Sequence, residues 1–455
     1  MAIATTNPAT GEVLCTFPVL TETEIQFKLA LAASAFAQHR QTSFADRAEK
    51  MRRAAEILES DADTYAWLMT LEMGKPLEQA RAEALKCATA CRYYAEHAAR
   101  ILADEPVSGA DGHCFVCYEP LGPVLAVMPW NFPFWQVIRF IAPALMAGNV
   151  GLLKHASNVP QCGLALEELF LRAGFPIGCF QYLAIESHAV AKIIEDPRVI
   201  AVTLTGSLGA GSKVASTAGK EIKRTVLELG GSDPFVVMPS APLATTVEQA
   251  IKARVQNNGQ SCIAAKRFIV HAAIYDEFEE LFVEAFRKLR MGDPTEPDTD
   301  IGPLSQKQGV DDIEQLVQKA LKAGGRALVG GKRGTGPGYF FEPTILVDVP
   351  VEAAIAREEF FGPVALLFRA RNLDEAISIA NSTPFGLGAS IWTQDEAEQQ
   401  RGIRELQAGQ VFVNSIVVSQ PALPFGGIRQ SGFGRELGAV GIREFMNAKS
   451  VRIAT

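Results

Sequence analysis

The sequence predicts an α/β protein built from two tandem open-sheet domains with a small additional β element. Three observations predict it. Short apolar runs alternate with helix-length segments from residue 124 onward, a Gly230-Gly231 pair interrupts the alternation, and two segments fit neither half. The first third is helical: 44–58 and 80–102 are rich in Ala, Glu, Leu, Arg and Lys, with apolar residues at helical spacing. Strand-like runs follow at 124–128, 150–154, 180–185, 200–205 and 225–229, with helices near 135–147, 162–173, 189–194 and 211–218 between them. Strands and helices of these lengths in alternation imply right-handed crossovers and a buried parallel sheet. After Gly230-Gly231 a second series begins, with runs at 234–238, 267–270, 327–329, 344–347, 364–368, 388–392 and 411–414. Its helices fall near 247–256, 276–289, 310–322, 373–381 and 395–406. The expected organisation is a first domain of 1–105 and 124–229, a second of 230–424, and a bridging element of 106–123 and 425–455. In that element 106–119 reads as a hairpin and 450–454 as a strand. Each leaves a sheet edge open, and pairing with another subunit and an ordinary edge strand are equally good readings of it.

Composition narrows the function. The chain has 455 residues, 48% hydrophobic and 21% charged, which suits a globular protein and not a disordered one. A formal net charge of −8 argues against nucleic acid as a partner, because phosphate binding needs a cationic surface. No run approaches the roughly 18 apolar residues of a membrane span, and the first residues lack the basic and apolar regions of a secretory signal, so a cytoplasmic protein is expected. The eight cysteines are then expected as thiols. Cys114 and Cys117 have metal-ligand spacing, but without a second such pair they read as small apolar strand residues, and no metal is expected. Cys87 and Cys91, four apart on a helix, read as packing residues.

Three segments carry chemistry. In Gln256-Asn-Asn-Gly-Gln-Ser-Cys262 the cysteine follows a polar, Gly-containing turn, where a thiol faces a cleft and its N–H can meet an oxyanion. Alone, such a cysteine is structural more often than catalytic. Glu228, in Val226-Leu-Glu-Leu-Gly-Gly231, ends an apolar strand at the crevice where open sheets bind ligands; a salt bridge or cap is an equally good reading of this segment. Asn131, between Trp130 and Phe132-Pro133, stands on a stiff turn after a strand. Its amide can donate to an oxyanion, or it can close an Asx turn.

Together these segments resemble the aldehyde dehydrogenase superfamily, and the 34-residue interval between Glu228 and Cys262 matches that family's spacing. The resemblance extends along nearly the whole chain. It includes Leu153-Lys154-His155, Leu204-Thr-Gly206-Ser207 with Gly211, and Glu358-Glu359-Phe-Phe361-Gly-Pro363. Pro424-Phe-Gly-Gly427 and Ser431-Gly-Phe-Gly-Arg-Glu436 complete it. The resemblance implies a Rossmann-like cofactor domain, a catalytic domain and a β oligomerisation element in a homodimer or homotetramer. It implies that the Cys262 thiolate attacks an aldehyde, that Asn131 and the Cys262 N–H hold the oxyanion, and that Glu228 activates the water that hydrolyses the resulting thioester. It places Trp130, Lys154, Ser157, Gly206, Ser207, Gly211, Leu229, Glu359 and Phe361 against the dinucleotide.

Cofactor and substrate follow from departures within the motifs. Where the family often has an acid three residues after the lysine, this chain has Ser157, which removes repulsion of a 2′-phosphate, and His155 is expected to add charge when protonated. NADP is therefore expected over NAD. The resemblance is greatest to the family's succinate-semialdehyde dehydrogenases, which implies that Arg139 clamps the remote carboxylate of the substrate, with Ser419 meeting the same group and Gln136 beside it. A structural ion pair is the alternative for Arg139. Some relatives carry a second arginine where this chain has Gln256. Glutarate semialdehyde and medium-chain aldehydes are the alternative substrates. Transfer to coenzyme A, a plain thiol esterase and a silent binding protein leave Glu228 or the dinucleotide residues unexplained. Cys262-Ile263-Ala264 lacks the second thiol of relatives that form a local disulfide.

Overall fold

The computed structural model describes residues 3–109 and 112–454. Two large sheets form its frame. The first has six strands in the spatial order Gly432–Phe433, Arg224–Glu228, Ala201–Thr205, Pro123–Val127, Val150–Lys154, Phe180–Tyr182. All of its pairings are parallel except that of Gly432–Phe433 with Arg224–Glu228. The chain starts in the middle, at Pro123–Val127, builds outward on one side and then crosses to the other. The strand order therefore reverses beside Val127, and the crevice at the carboxyl ends of these strands is where such sheets take ligands.

The second sheet has seven strands, in the order Arg326–Val329, Thr344–Val347, Val364–Ala370, Ala265–His271, Asp233–Val237, Gly388–Trp392, Gln410–Val413. Only the outermost pair, Arg326–Val329 with Thr344–Val347, is antiparallel. Central strands in both sheets are buried on both faces, so they read as continuous apolar runs. Two of the helices start at capping boxes: Thr21 with Glu24 at Glu22–His39, and Ser43 with Asp46 at Phe44–Ser60.

A short link joins the two sheets. Arg224–Glu228 leaves the first sheet at its carboxyl end, and Asp233–Val237 enters the second after residues 229–232. That short link sets the carboxyl ends of one sheet opposite the amino ends of the other.

The small β element differs from its expected form. His113–Pro120 pairs with Met446–Ile453 along its whole length and with Glu105–Pro106 on its other side. The C-terminal strand is thus longer than 450–454, and the expected hairpin is a contact between distant segments, with residues 110 and 111 outside the described residues. The segment 425–455 is also divided, because Gly432–Phe433 joins the first large sheet. Its glycine permits this: Gly432 has φ +111°, and a Cβ there would lie 1.9 Å from the Leu227 carbonyl oxygen. A two-stranded hairpin, Ile3–Thr6 with Val13–Phe17, was not anticipated. Its second strand is exposed and lacks apolar alternation.

Candidate active site

The loop before Cys262 is built from residues that tolerate unusual backbone. Asn257 and Asn258 both have positive φ (54° and 57°). Gly259 follows at φ +74°, where a Cβ would lie 2.4 Å from the Gly362 carbonyl. The asparagine side chains then fasten the turn. Asn258 Nδ2 donates to the carbonyls of Gly74 (2.8 Å) and Pro303 (2.9 Å), and Asn257 Nδ2 donates to those of Asn131 (2.6 Å) and Gln260 (3.0 Å). Two buried cations complete the frame. Arg254 donates to Ala265 and Gly259 carbonyls, and Lys266 Nζ donates to those of Ser261 (2.7 Å) and Cys262 (2.6 Å). The result is a fastened loop that leaves the Cys262 side chain half-buried and its backbone N–H without an acceptor among the described residues.

Asn131 belongs to the same site. Its Nδ2 donates to the Gln260 carbonyl at 2.9 Å, and its Oδ1 accepts from Gln136 Nε2 at 2.9 Å. The second bond fixes the orientation of the amide and leaves one of its N–H groups without an acceptor among the described residues. Gln136 is fully buried in this role. It orients the Asn131 amide.

Glu228 is buried, and neither carboxyl oxygen has a hydrogen-bond partner among the described residues. A Cβ on Gly426 would come within 2.6 Å of its Oε1, so the Pro424-Phe-Gly-Gly427 segment is shaped around this carboxyl. Burial, and then the neighbouring Glu436, hold it well above the usual carboxylate range, while Arg139 and Arg435 oppose that shift. Burial likewise pushes the Cys262 thiol up to about 12, against the pull of Arg139 and Lys266. Both reacting groups are thus kept protonated, and one guanidinium bears on both.

That guanidinium is engaged within the chain. Arg139, 2% exposed, forms an ion pair with Glu436, donates to Thr205 Oγ1 at 3.1 Å and stacks over the Phe425 ring at 4.5 Å. The anion that a buried arginine requires is here supplied by the chain itself, which is the ion pair given from the sequence as the alternative to a carboxylate clamp. Breaking a buried pair on one side costs about 3–5 kcal/mol, whereas neutralising both sides costs far less. Arg139→Met is accordingly expected to lower stability in urea melts by that amount, and Arg139→Met with Glu436→Gln to recover most of it. Loss of turnover in Arg139→Met should be equal on charged and neutral aldehydes.

Five of the expected dinucleotide residues line two cavities, and Ser157, Gly206, Gly211 and Leu229 line neither. One, of about 1060 Å³, is bounded by Val127, Lys154, Leu204, Ser207, Gly209 and Val214. Ser207 caps the helix Leu208–Lys220, whose first N–H groups point into this space. Gly206 donates to the Glu228 carbonyl, and Gly211 lets Leu229 approach to 2.6 Å of where a Cβ would stand. Lys154 is buried with no acceptor among the described residues, and burial lowers its pKa. A cation left bare beside a helix amino end fits a phosphate-bearing cofactor. Ser157 follows on the next turn, half-buried, its carbonyl held by the Ala4 N–H. His155 is corrected: Nδ1 accepts from the Ala156 N–H, Nε2 donates to the Pro133 carbonyl at 2.9 Å, and burial pushes it down to about 4, so it is a neutral strut. The second cavity, about 470 Å³, brings together Trp130, Gln260, Glu359 and Phe361. Trp130 meets Phe361 edge to face at 5.9 Å. Glu359 accepts from the Gly231 N–H at 3.0 Å and lies 3.5 Å from Lys266.

Sequence reasoning missed Arg254, Lys266, Gln260 and Glu436. The signal for the first two was a charged residue at an apolar position, in a helix end and in a strand. Glu436 lay inside a recognised motif, but its partner is 297 residues away in sequence.

A buried unpartnered carboxyl, a thiol and a fixed amide donor, with a cavity fit for a dinucleotide, define a thiol-dependent dehydrogenase. The model of the aldehyde dehydrogenase family matches residues 1–451, and the chain belongs to that family. It is 58% identical, over all of both chains, to succinate-semialdehyde dehydrogenase [NADP(+)] 1 of Mycobacterium tuberculosis H37Rv, and 56% identical to succinate-semialdehyde dehydrogenase [NADP(+)] of Mycobacterium leprae, again over all of both. A crystal structure of succinic semialdehyde dehydrogenase from Streptococcus pyogenes in complex with NADP+ superposes with a TM-score of 0.97 at 36% identity, covering 99% of this chain and 100% of that one. Among the described residues no helix is long and apolar enough to cross a membrane.

Proposed function

We propose that this enzyme oxidises succinate semialdehyde to succinate and uses NADP in preference to NAD. The observation that carries the chemistry is the half-buried Cys262 beside the fixed Asn131 amide and the unpartnered Glu228. The substrate and cofactor are supported by full-length likeness to the mycobacterial enzymes and by the bare Lys154 followed by Ser157 in place of an acid.

When bound, the dinucleotide supplies the hydride acceptor for the oxidation, held by Lys154 and Ser157 at one end and by Trp130, Glu359 and Phe361 at the other. The Cys262 thiol loses its proton to solvent, and the resulting thiolate attacks the aldehyde carbon. The carbonyl oxygen gains charge and meets two donors, the free Asn131 N–H and the Cys262 backbone N–H. Oxidation leaves a thioester on Cys262. The Glu228 carboxylate then takes a proton from water, which attacks the thioester and frees the acid. In this reading the first large sheet, with Gly432–Phe433 added to it, serves the cofactor and the second carries Cys262. The exposed outer edge of Met446–Ile453 supports pairing between subunits in a homodimer or homotetramer, working in the cytoplasm.

The test is absorbance at the reduced-nicotinamide band with succinate semialdehyde and each cofactor in turn. Turnover is expected with both cofactors and a higher kcat/KM with NADP. Ser157→Glu is expected to shift the NADP/NAD ratio of kcat/KM toward NAD by about tenfold or more, because a carboxylate is set against the 2′-phosphate. An unchanged ratio would remove Ser157 from the cofactor reading.

A further inference from the structure

The amide donor Asn131 stands at the start of a segment that is held from elsewhere in the chain. The helix Trp135–Ala147 follows it, with Phe134 at its cap position. Neither Phe134 nor the first turn supplies a capping side chain or an acid. The cap arrives from the helix Leu77–Ile101. Glu83 Oε1 accepts from the backbone N–H groups of Phe134 (3.0 Å) and Trp135 (2.9 Å). Its other oxygen, Oε2, pairs with Lys75 Nζ, and both side chains are buried. Lys75 Nζ also lies 4.0 Å from the centre of the Phe132 ring, next to Asn131.

The carboxylate stands where a buried helix needs one. The first N–H groups of a helix have no partner within it and carry its positive end, so in the interior they require an acceptor from outside. Glu83 meets two of them with one oxygen, and Lys75 balances its charge at the other. The consequence reaches the amide. Gln136, on the first turn of the same helix, holds Asn131 Oδ1 at 2.9 Å, so the position of that turn sets where the amide N–H points. The thiol loop is fastened to the same support: Asn258 Nδ2 donates to the carbonyl of Gly74, one residue before Lys75, at 2.8 Å. Gly74, Lys75 and Glu83 thereby tie the loop of Cys262 to the turn of Asn131.

We propose that Glu83, paired with Lys75, is a positioning residue for the oxidation. Its carboxylate fixes the amino end of the helix Trp135–Ala147, and through Gln136 it sets the Asn131 amide against the carbonyl oxygen of the bound aldehyde. The assignment rests on the reading of Asn131 as the oxyanion donor and adds to it a residue outside the recognised motifs.

Removing Glu83 alone would strand a buried lysine, so the test neutralises both members. Lys75→Met with Glu83→Gln keeps an oxygen for the two N–H groups, and Lys75→Met with Glu83→Leu keeps none. Both pairs are assayed with succinate semialdehyde and NADP, with Asn131 present and in Asn131→Ala. An oxyanion donor acts in the transition state, so its displacement lowers kcat and spares KM. With Asn131 present, the leucine pair is expected to have a kcat about 30-fold below that of the glutamine pair, with KM within about threefold. In Asn131→Ala the two pairs are expected to agree within about threefold, because the amide through which Glu83 acts is gone. Alkylation of Cys262 by iodoacetamide should match in the two pairs within about twofold, since that reaction forms no oxyanion. Equal kcat in the two pairs, a gap that persists without the amide, or a larger difference in alkylation would overturn the assignment. If Asn131→Ala alone leaves kcat unchanged, the oxyanion reading itself fails, and the role of Glu83 with it. Glu83→Asp serves if either neutral pair does not fold, because it keeps the charge facing Lys75 and shortens the reach by one methylene. A kcat lowered about tenfold or more at unchanged KM then supports the proposal, and an unchanged kcat rejects it.

Discussion

Cys262→Ser is expected to abolish turnover of every aldehyde, by about four orders of magnitude or more, while leaving the fold and NADP binding intact. The loop explains both halves of this result. Its shape is set by Asn257, Asn258, Gly259, Arg254 and Lys266, none of which depends on the sulfur. The sulfur supplies the bond to substrate and the leaving group of the thioester, and a hydroxyl is a much poorer nucleophile and leaving group. The same site predicts a pH dependence. The thiolate is the reactive form and exists above the thiol pKa, which burial pushes up to about 12. Alkylation of Cys262 by iodoacetamide in enzyme without substrate is therefore expected to accelerate about tenfold per pH unit from pH 6 to 9, without a plateau. Mass spectrometry of the Cys262 peptide isolates this signal from Cys15, which is exposed, and from the half-buried Cys114 and Cys117. A plateau below pH 8 would mean that the thiol is already ionised.

Glu228→Gln is expected to separate the two half-reactions. Thioester formation continues, hydrolysis falls by about a thousandfold, and one equivalent of reduced cofactor appears in a burst. Hydroxylamine should release the trapped acyl group. The substitution should also stabilise the protein in the alkaline range. In the folded chain Glu228 holds its proton well above the ordinary carboxylate range, so between those two values the folded state binds more protons than the unfolded one. Stability then falls as pH rises through that interval. Glutamine carries no charge to bury, so the melting temperature of Glu228→Gln is expected to exceed that of the wild type at pH 8 and to converge with it near pH 4. A lower melting temperature at pH 8 would show that the carboxylate is compensated in the fold. Hydrolysis needs the ionised carboxyl, so wild-type kcat should rise with pH where deacylation limits it.

Local pattern reached far into this protein. The strands Thr344–Val347 and Gly388–Trp392 and the helix Leu373–Asn381 are as the apolar periodicity places them, because a buried parallel strand must be apolar on both faces. Gln256–Cys262 was legible as a functional turn because Asn-Asn-Gly is what two left-handed residues and a close backbone approach require. The exposed strand Val13–Phe17 and the tail strand Met446–Ile453 were less legible, since their partners are distant and their faces are not sorted by burial.

By itself the sequence determined the two α/β halves, the order of their strands along the chain, and the candidate thiol, amide and carboxyl. These depend on periodicity and on short-range backbone needs, which neighbouring residues express. Only the tertiary structure decided what the buried charges face. Arg139 meets Glu436, Gln136 turns the Asn131 amide, His155 is a neutral strut, and Lys86 is left beside Ser419. The energy of a buried charge is set by whichever group lies within a few ångströms in space. For Arg139 and Lys86 those groups come from segments hundreds of residues away, and no local pattern records that meeting.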